Sequence, residues 1–168
     1  MKEIPLRGKQ GQGHSALVDN ADYDVLNARL WYLDTSGYPA ITLKLDRGGR
    51  AKVRLHRFLE ADDQGGRYQD HINGNRLDNQ RRNLRPATKT QNSRNRRMHK
   101  NNTSGYKGVS KTGHGTFRAC INVGTQQIQL GTYQTAELAA AAYNGAARVL
   151  YASWARLNII PEAVQRAG

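Results

Sequence analysis

A chain of 168 residues with 26 Lys and Arg against 13 Asp and Glu, a formal charge of +13 and a pI near 10.3 demands a polyanionic partner, and it has room for one ordinary domain or two small ones. Its single cysteine, Cys120, excludes an intrachain disulfide and a cysteine-based zinc site, and no zinc is expected. No apolar run approaches the roughly 18 residues of a spanning helix, and Met1 to Gly13 is polar and Gly-rich rather than signal-like, so a cytoplasmic protein without a membrane partner is expected. Twelve basic residues and one acid, Asp78, lie between Arg76 and Arg118 among Asn, Gln, Ser and Thr; a membrane-bound helix would need an apolar face there, whereas phosphate-contacting loops would not.

In chain order, the glycines at 8, 11 and 13 predict a mobile N-terminal stretch leading into a short strand at Ala16-Leu17-Val18. Val25, Leu26 and Leu30 have helical spacing over Asp22 to Leu30, with Asp22 and Asp24 at the end where negative charge is favoured. Trp31 and Tyr32 offer an aromatic anchor. Tyr38 to Leu45 and Ala51 to His56 alternate around Asp46-Arg47-Gly48-Gly49, predicting a β-hairpin with Lys44, Lys52 and Arg54 outward. His56 opens a short helix to Glu60, in a packing or hydrogen-bonding role.

A turn cluster at Asp62 to Gly66 precedes a short strand, Arg67 to His71, and the Asn73-Gly74 turn. Neighbours on a strand face opposite ways, so Asp70 and His71 can share a site only where that strand ends or bulges. Leu77 to Leu84 is a loop with those two leucines as anchors, and Leu84 to Ala87 a second strand. Thr88-Lys89-Thr90-Gln91 matches a capping box and starts a helix carrying Asn92. Asp70, His71, Asn83 and Asn92 thereby offer oxygen ligands for a cation, a base and an orienting amide, a combination suited to phosphodiester hydrolysis. Asp78 and Asn79 are alternative ligands, although acids and amides in turns more often serve as cappers.

The run DHINGNRLDNQRRNLRPATKTQN closely resembles the HNH nucleases of phages and mobile introns, in the His-Me or ββα-metal group, and Asp19 to His56 resembles their N-terminal part. The resemblance implies His71 as general base, Asp70 and Asn92 as ligands of one divalent cation (Mg²⁺, with Mn²⁺ as the alternative), and Asn83 as the residue that holds the loop and the imidazole. The usual final His is replaced by Asn92, whose amide oxygen still suits a hard cation.

Asn95 to Thr103 is polar, charged and uncapped, and reads as a basic linker between residues 1 to 94 and 104 to 160. Strands are predicted at Gly105 to Val109, Thr116 to Val123 and Gln126 to Tyr133. Thr135 then caps an Ala-rich helix to about Tyr151, with Ala139, Ala142, Ala146 and Ala147 facing the sheet. Trp154, Leu157 and Ile159 are expected to close that core. Tyr106, Tyr133 and Tyr143 belong in the core, as does Cys120, while His99 and His114 are solvated. SGYKGV, FRACINV, LGTYQTAELAAAAYNGAARVLY and ARLN resemble the plant APETALA or ethylene-response-factor DNA-binding domain. Ser110, Thr112, Cys120, Asn122, Gln127 and Gln129 stand where those proteins carry Arg or Trp, so their target sequence does not transfer.

The expected fold class is α+β: an HNH ββα-metal domain followed by a three-stranded antiparallel sheet on one helix. The expected function is homing-type, site-directed cleavage of double-stranded DNA by a monomer or dimer, encoded by a phage in a bacterial host. Lys52, Arg54, Arg76, Arg81, Arg82, Arg85, Lys89, Arg94, Arg96, Arg97, Lys107, Lys111, Arg118, Gln127 and Gln129 are the expected DNA contacts. The rival is a DNA-binding regulator with an inactive nuclease domain.

Overall fold

The computed structural model describes residues 1–60 and 68–165, so the turn expected at Asp62 to Gly66, and Arg67, lie outside the described residues. The chain is a mixed α/β protein of small sheets and few helices, in two compact units, Met1–Lys89 and Thr90–Gly168. The division falls at the start of a helix, α3 (Lys89–Asn95), rather than after residue 94.

In the first unit β1 (Lys2–Pro5) pairs antiparallel with β2 (Ser15–Val18), Ile4 opposite Ala16. The N-terminal stretch is therefore a strand. Its alternation is too short to stand out beside three glycines, but Ile4 is buried and supplies core. The helix α1 (Asn20–Asn27) buries Leu26 and leaves Val25 exposed, while Leu30 lies beyond its end and faces solvent, so one side chain of the expected face does the packing. Trp31 is fully buried, its indole N–H donating to the Leu26 carbonyl at 2.8 Å; such a ring needs a partner for its one polar group.

A second sheet, ordered β3-β4-β5, comprises β3 (Tyr32–Leu33), β4 (Pro39–Lys44) and β5 (Arg50–Arg54). The β4–β5 hairpin is the expected one, and Gly48 and Gly49 take positive φ in its turn. A short helix, α2 (Leu55–Phe58), follows β5 directly and buries Leu55 and His56. Ile4, Leu6, Ala16, Val18, Leu26, Trp31, Ile41 and Leu55 form one core under these elements. Finally β6 (Tyr68–His71) pairs antiparallel with β7 (Leu84–Ala87), joined by a loop with a 3₁₀ turn at Arg81–Asn83.

In the second unit β8 (Val109–Lys111), β9 (Phe117–Val123) and β10 (Gln126–Tyr133) form an antiparallel sheet in the order β10-β9-β8, with a bulge between Gln129 and Gly131. The long helix α4 (Ala136–Tyr151) starts at Thr135, whose hydroxyl accepts from the Leu138 amide at 3.2 Å. It buries Ala136, Ala139, Ala140, Tyr143, Asn144, Ala147 and Tyr151. Small side chains let helix and sheet approach closely: at Gly108, with φ near 75°, an added Cβ would collide with the Tyr143 ring and lie 2.8 Å from the Cys120 carbonyl.

The closing segment differs from expectation. Ile159 is 96% exposed and Leu157 also faces solvent, while Ile160 is buried. Amide bonds set this register: Asn144 exchanges two bonds with the Asn158 backbone (2.9 and 2.8 Å), and the Asn158 side chain bonds both backbone groups of Lys107 (2.7 and 3.0 Å). Cys120 and Trp154 are half-buried rather than buried. The expected linker ends in a built turn, where Asn102 bonds Ser104, Gly105 and Tyr106, and the Ser104 hydroxyl reaches Val109. No described helix is long and apolar enough to cross a membrane.

Candidate active site

Six buried polar side chains fall in residues 70–83: Asp70, His71, Asp78, Asn79, Gln80 and Asn83. Burying such groups is costly unless they are hydrogen-bonded, and here each is bonded, to another of the six or to a neighbour in or beside the loop. Asp78 is the hub of the loop, its carboxylate accepting from the side chains of Asn73 and Gln80, each at 2.8 Å. Asn83 accepts from the Asn73 amide (3.0 Å) and donates to the Asp78 carbonyl (2.7 Å). Gly74 N–H donates to the His71 carbonyl at 2.7 Å, closing the turn directly after the strand.

His71 is the last residue of β6, where the alternation rule allows it to leave the sheet. Its imidazole Nε2 lies 3.3 Å from Asn79 Oδ1. Asn79 is itself fixed from the N-terminal hairpin: Leu17 donates to the Leu77 carbonyl and accepts from the Asn79 amide, both at 2.8 Å. The ring is thus oriented through Asn79, whereas both ends of the Asn83 amide go to loop backbone. Asn83 therefore bonds the loop backbone, and the side-chain contact of the imidazole Nε2 is with Asn79 rather than Asn83. An Asn eight residues after the His carries no periodic signal, and only the long-range β2 contact gives it that position.

Burial lowers the pKa of His71 below the ordinary 6.5, against the Asn79 bond and the fields of Asp70 and Asp78, which raise it. The imidazole is neutral at physiological pH. Asp70, beside it, is also buried, and its Oδ2 accepts from Arg85 Nε (3.1 Å) and Nη2 (3.0 Å). Asp70 and Arg85 are direct cross-strand partners in the β6–β7 ladder. Among the described residues no three His, Cys, Asp or Glu side chains gather as a metal cage. Asn92 is half-buried on α3, in the second unit.

The chain is 34% identical over 156 residues to an uncharacterized HNH endonuclease of Acanthamoeba polyphaga mimivirus, an alignment covering 90% of this chain and 78% of that protein. This chain belongs to the HNH endonuclease family. No family model and no solved structure matches it.

In this HNH protein the expected DNA contacts divide by their surroundings. Arg76, Arg82, Lys89, Arg96, Arg97, Lys111, Arg118, Gln127 and Gln129 are exposed. Lys52 and Arg54 converge on Asp34, at 3.6 and 3.0 Å. Burial pushes the Asp34 carboxyl up, but the Tyr38 amide, Arg54 and the Ser36 amide outweigh it and hold it below the usual carboxylate range. Arg81 forms a two-point pair with Asp22 (2.9 and 2.7 Å), tying the loop to α1. Arg85, Arg94 and Lys107 likewise have their charged groups in contact within the fold. Arg85 is on Asp70, Arg94 lies over the Tyr151 ring at 4.8 Å, and Lys107 is half-buried with its ammonium on the Arg94 carbonyl. Burial, with Arg156 and Arg96 nearby, brings Lys107 down to about 8.

Proposed function

We propose that this protein is a metal-dependent DNA endonuclease that hydrolyses a phosphodiester with His71 as general base. The observation that carries the reading is the position of His71 at the C-terminal end of β6, directly after Asp70, with its Nε2 3.3 Å from Asn79 Oδ1. With the amide so oriented, Nε2 holds the proton and Nδ1 carries the lone pair that takes a proton from the attacking water. Asn79 and Asn83 fix the ring and its loop, so little reorganisation is required at the moment of transfer.

The Asp70 carboxylate is a hard oxygen donor of the kind a divalent cation takes, and the resemblance supplies the Asn92 amide oxygen as a second donor of the same chemical class. Arg85 orients the carboxylate through Oδ2; a carboxylate has about four lone-pair sites, so that pairing does not exhaust it. When bound, Mg²⁺ or Mn²⁺ would stabilise charge on the phosphoryl and leaving oxygens. The products are 5′-phosphate and 3′-hydroxyl ends.

The second unit serves as the duplex-binding module, of the APETALA/ethylene-response-factor type, and makes the enzyme site-directed in the homing manner. Supporting this is the register of its sheet, which places Ser110, Arg118 and Thr132 in one cross-strand row, and Asn122 opposite Gln127 in another. Arg118→Ala is expected to weaken duplex binding and reduce its salt slope by about one.

Supercoiled plasmid with Mg²⁺ or with chelator provides the test. Metal-dependent nicking abolished by His71→Ala supports the enzyme. Tight binding without scission would instead establish the DNA-binding regulator, the rival that the Asp70–Arg85 pairing favours.

A further inference from the structure

Three rings meet at the candidate base, its own among them. His56 and His71 have centroids 5.0 Å apart with planes at 82°, an edge-to-face contact, and Tyr38 lies 5.2 Å from His56 and 5.9 Å from His71. Each arrives by a separate route. Tyr38 is set by Asp34, whose Oδ1 accepts the Ser36 and Tyr38 amides at 2.9 Å, and the Arg54 and Arg76 guanidinium carbons lie 4.2 and 4.6 Å from the Tyr38 ring centroid. His56 comes from α2, anchored by the fully buried Leu55. His71 comes from the end of β6.

His56 is 5% exposed, and its Nδ1 has no hydrogen-bond partner among the described residues. Leaving such a nitrogen unpaired is costly, and an aliphatic side chain would avoid the cost. What an imidazole adds here is a flat ring at right angles to a second flat ring, the geometry that aromatic quadrupoles favour. The Asn79 contact meets the His71 ring at Nε2, and the rings of His56 and Tyr38 bear on its plane.

We propose that His56 is a positioning residue for His71, holding the plane of the base through edge-to-face ring contact. The role rests on the endonuclease reading for its catalytic consequence but not for the contact itself. His56 adds no positive charge beside the base, because burial, and then His71, Arg54 and Arg57, hold it down at about 3, against the smaller opposing field of Asp34.

The test uses the full chain labelled with ¹⁵N-histidine, and single-turnover nicking of plasmid. In His56→Ala, the His71 ring nitrogens are expected to lose the single-tautomer pattern of the wild type. Nicking should slow about 10- to 100-fold, the scale of a small misplacement of a catalytic group, with the DNA KM unchanged. In a His71→Ala background the same substitution should cost nothing more, which a general loss of packing would not reproduce. His56→Phe, which restores a ring, should recover the tautomer pattern and most of the rate. Should the Ala variant not fold, His56→Leu supplies bulk without a ring and carries the same expectation. A folded Ala or Leu variant with wild-type His71 signals overturns the proposal. A wild type that never nicks removes the enzyme reading while the ¹⁵N spectra still decide the contact.

Discussion

The two units solve the problem of a small core in opposite ways. Thr90–Gly168 closes an alanine-faced helix on a sheet, and among its described residues only Asn95 and Asn144 are buried polar side chains. Among its described residues Met1–Lys89 buries eight, six of them within residues 70–83. An apolar face specifies position loosely and tolerates repacking, whereas a buried polar network requires each partner in place. The first unit therefore spends stability on fixing a few atoms, as an active site requires, and the second is built as a stable platform. Substitutions in the network should damage chemistry or folding steeply; those in the platform should cost small amounts of stability.

The largest effect is expected at the base. His71→Ala should lower the single-turnover nicking rate by about 10²- to 10⁴-fold, the usual contribution of a general base, while leaving duplex affinity, measured by gel shift, unchanged. Loss of binding in parallel would mean that the residue is structural.

Next is the cross-strand pair. Arg85→Met removes one partner of a buried carboxylate, and breaking such a pair costs about 3 kcal/mol or more, read from urea unfolding. Adding Asp70→Asn should return part of that stability but not the nicking. If Arg85 were instead a phosphate contact, its substitution would change affinity and leave stability intact.

The third prediction concerns pH. His56 is held near 3 in the folded chain against 6.5 when unfolded, so below 6.5 the unfolded state takes up a proton that the folded state refuses. Its stabilising contribution is complete above 6.5 and is lost progressively as pH falls toward 3. At about 1.36 kcal/mol per unit, the cost down to about pH 4.5 is roughly 2 to 3 kcal/mol. His56→Phe should flatten that part of the stability profile, and an unchanged slope would show that the imidazole is protonated within the fold.

Where a segment carried its own signal, the sequence was a good guide. The hairpin turn at Gly48-Gly49, the strand Leu84–Ala87 and the helix Ala136–Tyr151 stand where turn chemistry, alternation and capping place them. What was not legible depends on distant partners. Lys2–Pro5 is a strand because β2 is there to pair with it, and Ile160 rather than Ile159 is inside because the Asn158 amide sets the register. The site follows the same rule. The Asp-His pair and its strand end could be read locally, whereas the role of Asn79 is created by Leu17, and Arg85 belongs to Asp70 only once the β6–β7 register is known.

The smallest effect sharpens the comparison from the other side. Thr135 caps α4 with one hydrogen bond to Leu138, and Thr135→Ala should cost about 1 kcal/mol, the usual value of such a cap, as a lowered urea midpoint. The helix is anchored along its length by alanines against the sheet, so the loss should remain at its first turn and the nicking rate of the folded protein should not change. A rate that fell with Thr135→Ala would mean that the platform and the polar network are energetically coupled, and that the division of labour inferred from their buried side chains is wrong.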